Sequence, residues 1–152
     1  MVTTVVDVAT NRNRALILTV GLPRSGKTTW AKRTGFPIVC PDSIRLALHG
    51  QTFLVLAEPI VWAIAKVMVR ALFLSGALSV VLDATNATKA RRDEWLADDW
   101  ETYYKLVETT RDTCIFRAGE NLMFDLVPVI EKMNLEFEGL DDEEIKRKWG
   151  RS

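Results

Sequence analysis

Short apolar runs alternate along the chain with longer stretches in which apolar residues recur every three or four positions. The runs at 15–20 (Ala-Leu-Ile-Leu-Thr-Val), 36–39, 78–82 (Leu-Ser-Val-Val-Leu) and 104–109 read as strands. They lack clean apolar–polar alternation, as expected of strands covered on both faces. Residues 57–75 read as one helix, with Pro59 in its first turn and Gly76 as its stop. Glu58, Lys66 and Arg70 give that helix a narrow polar stripe, so most of it is expected in the core. Trp62 interrupts the stripe at helical spacing; it reads either as a partly exposed aromatic or as part of a substrate groove, and core packing is the favoured reading. The same charges, with Gly76, interrupt the apolar stretch 53–82 and argue against a membrane span. Leu126, Val129, Ile130 and Met133 mark an amphipathic helix over 125–134, with Pro128 tolerated in its first turn. Asp141 and Glu144 have the spacing of a capping box, with Leu140 placed to staple to Ile145 and Lys146-Arg147-Lys148 at the helix end. Strand–helix alternation of this kind implies an α/β fold, a mostly parallel sheet with helices on both faces.

At 152 residues the chain fits a single domain, 1–152, and a domain of that size buries roughly 68–70% of its unfolded surface. Residues 1–13, ending in Asn11-Arg12-Asn13, read as a loosely held leader. The formal net charge is zero, so a nucleic-acid partner has to be met by a local basic patch rather than by overall attraction. Cys40 and Cys114 are too few for a disulfide scaffold, and no secretory leader follows Met1; both features fit reduced thiols in the cytoplasm. His49 is the single histidine, which excludes His-based metal clusters, and beside Gly50 it reads as a loop residue.

The first strand is followed directly by Gly21-Leu22-Pro23-Arg24-Ser25-Gly26-Lys27-Thr28-Thr29, the GxxxxGK[ST] phosphate-binding loop. Backbone amides of such a loop point into one concavity, and the following helix adds its positive end. Lys27 is expected to reach the β- and γ-phosphates of ATP, and the Thr28 hydroxyl to bind Mg2+. Ligands of such sheets bind beyond the carboxyl ends of the strands. After the second run comes Cys40-Pro41-Asp42-Ser43-Ile44-Arg45, with Asp42 and Arg45 on one helix face; they suit proton acceptance from a hydroxyl and the holding of an acceptor anion, but taken alone the pair favours a helix cap and a surface ion pair. After the third run, Asp83 suits a water-mediated contact to Mg2+ or a turn. Thr85 and Asn86 offer hydrogen bonds to a substrate hydroxyl, or serve the turn itself. Lys89, Arg91 and Arg92 form either a solvated helix face or a phosphate-tracking patch. After the fourth run, 110–117 begins a helix on which Arg117 is expected to face the loop.

In order, GLPRSGKTTWAKR, PDSIR, VVLDATNATKARRDEW and TRDTCIFRA resemble the kinase domain of polynucleotide 5′-hydroxyl kinases and related small P-loop kinases, AAA-like and zeta-toxin-like, over roughly residues 15–118. That resemblance implies a P-loop NTPase-type three-layer sandwich with four or five strands and a helical lid at about 111–125. It implies Asp42 as general base, Arg45 on the acceptor-side phosphate, Arg117 as the lid arginine, and Thr85, Asn86 and Arg91 toward the acceptor. Two positions depart from the family pattern: Arg24 stands where a small residue is common, and a second lid arginine is missing, with Arg24 and Arg111 as candidate replacements. The same scaffold serves kinases of small hydroxylated molecules, of nucleosides, and bacteriophage kinases of hydroxymethylated bases in DNA. A nucleotide-dependent binding module without catalysis is the alternative of another class. Oligomeric state is not readable from the chain alone.

Overall fold

A computed structural model describes residues 14–50 and 53–150, so the leader expected over 1–13 lies outside the described residues. β1 (Ala15–Val20) is the organising strand. It pairs in parallel with β3 (Ser79–Leu82) on one side and β4 (Glu101–Leu106) on the other, with Ala15 opposite both Ser79 and Glu101. β2 (Ile38–Val39) flanks β3, so the order is β2-β3-β1-β4 and every pairing is parallel. The connections are helical: α1 (Lys27–Thr34), α2 (Pro41–His49) with α3 (Glu58–Leu74), and α4 (Lys89–Asp93). After β4 come α5 (Arg111–Glu120), α6 (Leu126–Glu136) and α7 (Asp142–Lys146). Beyond α7 the chain returns to the sheet, where the Tyr104 amide donates to the Arg147 carbonyl and the Trp149 amide to the Tyr104 carbonyl. One parallel bridge, Tyr104 to Lys148, is what the structure adds to its four strands.

Burial follows the pleat. Leu16, Leu18 and Val20 of β1 join Val80, Leu82 and the buried row Val61, Ala65, Val69 and Phe73 of α3. Ile17 and Val81 point the other way, onto Ala31, Trp30 and Trp149. Because both faces are covered, strands of mostly apolar residues are stable here without alternation. β4 begins and ends earlier than the run 104–109 suggested. It is an edge strand in which Thr102 and Tyr104 are buried while Glu101, Tyr103 and Lys105 are half-buried, so its pattern is mixed. The chain leaves the sheet after Leu106, where the Thr109 amide turns back to the Val107 carbonyl. β2 is likewise only the last two residues of its run.

α3 departs furthest from expectation. Only one row of it is buried, and the charged positions contact neighbouring groups, though Arg70 stays exposed. Lys66 lies over the Trp95 ring, Arg70 over the Trp100 ring, and Glu58 is bonded to Arg45. The side turned away from the core carries Ile60, Val67 and Leu74. At the C-terminal end the capping box forms as expected at Asp141 and Glu144, whereas Leu140 packs on the main core and Ile145 is exposed, so the staple is absent.

The basic run after β3 is divided by packing. Lys89 pairs with Asp93 and Asp141. Arg92 is fully buried, a placement that neither sequence reading of the run anticipated. Its guanidinium donates from Nε and Nη2 to the two oxygens of Glu144 (2.6 and 3.1 Å). The remaining donors go to the carbonyls of Asn86, Glu138 and Gly139. A guanidinium survives burial only when its donors are matched in this way. It thus ties α4, the loop after β3 and α7 into one unit. Glu144→Ala strands that charge in the interior and is expected to cost about 3–5 kcal/mol, read from the urea unfolding midpoint.

Candidate active site

The turn from β1 into α1 sets the geometry of the site. Arg24 and Gly26 adopt left-handed φ of 66° and 108°, and the helix starting at Lys27 has no side-chain cap and no acid in its first turn. Its positive end is therefore uncompensated, which is the electrostatic requirement of an anion site. The loop is held from behind: Leu22 is sunk between α5 and α6 among Cys114, Ala118 and Ile130. Thr109 Oγ1 donates to the Ser25 carbonyl at 2.6 Å. Gly21 has no room for a side chain, since a Cβ there would lie 2.9 Å from both Ser25 Oγ and the Val107 carbonyl oxygen.

Lys27 folds over this loop, its ammonium donating to the Leu22 carbonyl at 2.6 Å. Burial pushes its pKa below the ordinary lysine value, and the charges of Asp83, the two thiols and Asp42 pull the other way. Thr28, exposed on the loop, donates to Asp83 Oδ2 at 2.7 Å, so these two residues are in contact. Thr29 and Arg24 are exposed and Pro23 is half-buried on the same loop. Arg24 occupies a position whose left-handed backbone suits glycine better than a branched side chain. Arg117 reaches the loop from α5, Nη1 donating to the carbonyls of Arg24 (3.1 Å) and Ser25 (3.2 Å). Arg111 instead pairs with its neighbour Asp112 on the exposed first turn of α5.

On the other side of Lys27, Pro41 starts α2 and Cys40 is its cap position, so Asp42 does not cap the helix. Asp42 is exposed and pairs with Arg45 Nη1 at 2.6 Å. Arg45 itself is largely buried, because Glu58 grips it through two bonds, Nε to Oε2 (2.9 Å) and Nη2 to Oε1 (2.7 Å). Two parallel bonds fix the plane of a guanidinium. The Arg45 and Arg91 guanidiniums also lie 5.9 and 4.3 Å from the centre of the Trp62 ring, within cation–π range. Trp62 thus both packs edge-on against core Trp95 and lines this wall.

Asn86 is placed otherwise than a substrate contact requires. It is buried, with φ of 46°, and its amide donates to the Thr19 carbonyl at 2.8 Å. Thr85 contributes its carbonyl to the Gly21 amide, and its side chain is half-buried at the edge of the loop. Two structural contributors had no assigned part in the sequence reading. Thr19, polar within an apolar strand, accepts from the Ala84 amide and donates to its carbonyl. Glu58 was read as one of a polar stripe, and only tertiary contact joins it to Arg45, thirteen positions away.

A strand, a phosphate-binding loop and an uncapped helix, on a parallel sheet of order 2-3-1-4, define a P-loop kinase fold. Residues 16–118 match the family described as an AAA domain, more than half of the chain, and the protein belongs to that family. No curated protein sequence matches the chain. A chain of the Pnkp1/Rnl/Hen1 RNA repair complex is similar in structure, with a TM-score of 0.63 at 16% identity; the match covers 85% of this chain and 48% of that one, about half its length. A gluconokinase from Sinorhizobium meliloti 1021 is similar at TM-score 0.59 and 18% identity, covering 90% and 81% of the two chains. The Mycobacterium tuberculosis APS kinase CysC, in complex with AMPPNP and APS, is similar at 0.54 and 17%, covering 73% and 72%. At such identities these likenesses establish the fold.

The Arg45 guanidinium holds the Glu58 carboxyl below the ordinary glutamate value of 4.5. The folded chain therefore binds fewer protons there than the unfolded one, and the pair's stabilisation is complete above that value and lost as pH falls through the folded one. Glu58→Gln should lower stability at neutral pH and flatten the acid limb of a urea-midpoint titration below about pH 4.5.

Proposed function

We propose that the chain is an ATP-dependent kinase that transfers the γ-phosphoryl group to a hydroxyl of a nucleic acid, most directly a polynucleotide 5′-hydroxyl. The observation that carries this reading is the pairing of exposed Asp42 with an immobilised Arg45 at the start of α2, with Asp42 near enough to Lys27 for its charge to act on the ammonium. A nucleotide switch has no need of such an acid and guanidinium beside its phosphate-binding lysine. An alcohol acceptor needs both.

In this reading the loop amides and the N-terminus of α1 hold the triphosphate, and Lys27 moves from the Leu22 carbonyl to the β- and γ-phosphates. Thr28 and Asp83 fit a Mg2+ site of the kind in which one hydroxyl binds directly and a carboxylate holds a bound water. Among the described residues no group of three or more His, Cys, Asp or Glu is placed to hold a metal alone, so the remaining ligands come from phosphate and water. When bound, Mg2+ neutralises charge on the β- and γ-phosphate oxygens. Asp42 accepts the proton of the acceptor hydroxyl as its oxygen attacks in line. Arg45 and Arg91, both lying over the Trp62 ring, form the acceptor wall, where guanidiniums suit backbone phosphates. Arg117, with residues 111–125 acting as a lid, moves from the loop carbonyls to the transferring oxygens. No helix of the described residues is long and apolar enough to cross a membrane.

Asp42→Asn is expected to lower transfer by about 10²–10⁴-fold while MgATP affinity stays within a few-fold; unchanged turnover removes Asp42 from the mechanism. Lys27→Ala should abolish turnover. Radiolabelled ATP offered with 5′-hydroxyl oligonucleotides, hydroxymethylated duplex DNA, nucleosides and gluconate identifies the acceptor, and label that avoids the oligonucleotides overturns the proposed substrate.

A further inference from the structure

α3 is a 17-residue helix, about 25 Å long, and its outward side is occupied by Ile60, Ala63, Val67, Ala71 and Leu74. At roughly 100° per residue these five cluster on the side directly opposite the buried row Val61, Ala65, Val69 and Phe73. Ile60 is 58% exposed, Val67 66% and Leu74 78%. Arg70, itself exposed, borders the row beside Ala63, and no charged residue lies within it. Glu58 is held by Arg45, and Lys66 and Arg70 lean along one flank onto Trp95 and Trp100. Exposed apolar surface extends past both helix ends, to Leu56 (89%) and Leu78 (65%). A continuous strip of this length is more than a soluble monomer ordinarily leaves in water.

The order of side chains in the strip says what covers it. It is symmetric about Val67: Ala63 and Ala71 lie four residues to either side, Ile60 and Leu74 seven, and Leu56 and Leu78 eleven. An isologous two-fold contact places residue 67+k of one copy against 67−k of the other. Two antiparallel α3 helices centred on Val67 therefore set Ile60 against Leu74 of the second copy and Ala63 against Ala71. The two small pairs let the backbones approach beside the centre, and the large pairs close the ends. The flanks agree, since Lys66 then faces Met68 and Arg70 faces Ile64, with no like charges opposed. A partner of different sequence would have no reason to require this symmetry.

We propose that the outward face of α3 is a two-fold interface with a second copy of this chain, centred on Val67. This is independent of the catalytic reading, because Asp42 and the phosphate loop take no part in the strip. The test is sedimentation of the unaltered chain across micromolar concentrations, where a species of twice 17.2 kDa is expected. Val67→Glu sets two carboxylates together on the axis and should weaken dimerisation by about a hundredfold or more, with its circular-dichroism melt unchanged at a dilution where both chains are monomeric. Register is read by disulfide formation in a Cys40→Ser background. Val67→Cys should cross-link to itself, and Ile60→Cys should cross-link to Leu74→Cys in a mixture but not to itself. A chain that stays monomeric, a dimer indifferent to Val67→Glu, or an Ile60→Cys chain that cross-links to itself as readily as Val67→Cys overturns the proposal.

Discussion

The passage from β1 to α1 through two left-handed residues is the constraint on which the site rests. A helix that began with an ordinary serine or aspartate cap would spend its free amides on that side chain. Here the cap position is Gly26, and the first turn carries no acid. The open amides and the positive end of α1 therefore remain for an anion. The surroundings serve to hold this unusual turn in place: Leu22 buried under α5 and α6, Thr109 on the Ser25 carbonyl, and a tight contact at Gly21. Lys27 is the charge brought closest to the cradle. Its burial carries a desolvation cost that neighbouring carboxylates only partly offset, a condition that an arriving phosphate would relieve.

The two buried or half-buried guanidiniums do different work. Arg92 has every direction matched by Glu144 and three carbonyls, and holds the C-terminal segment to the loop after β3. Arg45 keeps one edge toward Asp42 while Glu58 fixes the other. Arg92 spends its donors on buried partners and is structural; Arg45 is held along two edges, but one of its partners is the exposed Asp42. The same distinction separates Asn86, whose amide is turned into the protein, from the exposed Asp42.

One helix, α3, carries three separate duties on three faces. Its inner row packs against β1 and β3. Its first two turns supply Glu58 and Trp62 to the wall beside Asp42. Its outer row is apolar and symmetric in sequence. The charges of the polar stripe lie along one flank over aromatic rings or bonded to Arg45, which leaves apolar residues on the side opposite the core.

The amino-acid sequence by itself determined whatever depends on residues close together along the chain. The phosphate loop, the helix stop at Gly76, the Asp141–Glu144 capping box and the Asp42–Arg45 pair all lie within a few positions, where backbone geometry fixes side-chain neighbours. The existence of the four strands was legible too, though β4 was displaced because an edge strand mixes polar with apolar positions. Tertiary structure alone decided which side of α3 meets the core, that Arg92 is buried while Arg91 lies on Trp62, and that Glu58 belongs to Arg45. A periodic pattern says which residues share a face, but the direction of that face is set by contacts between segments distant in sequence.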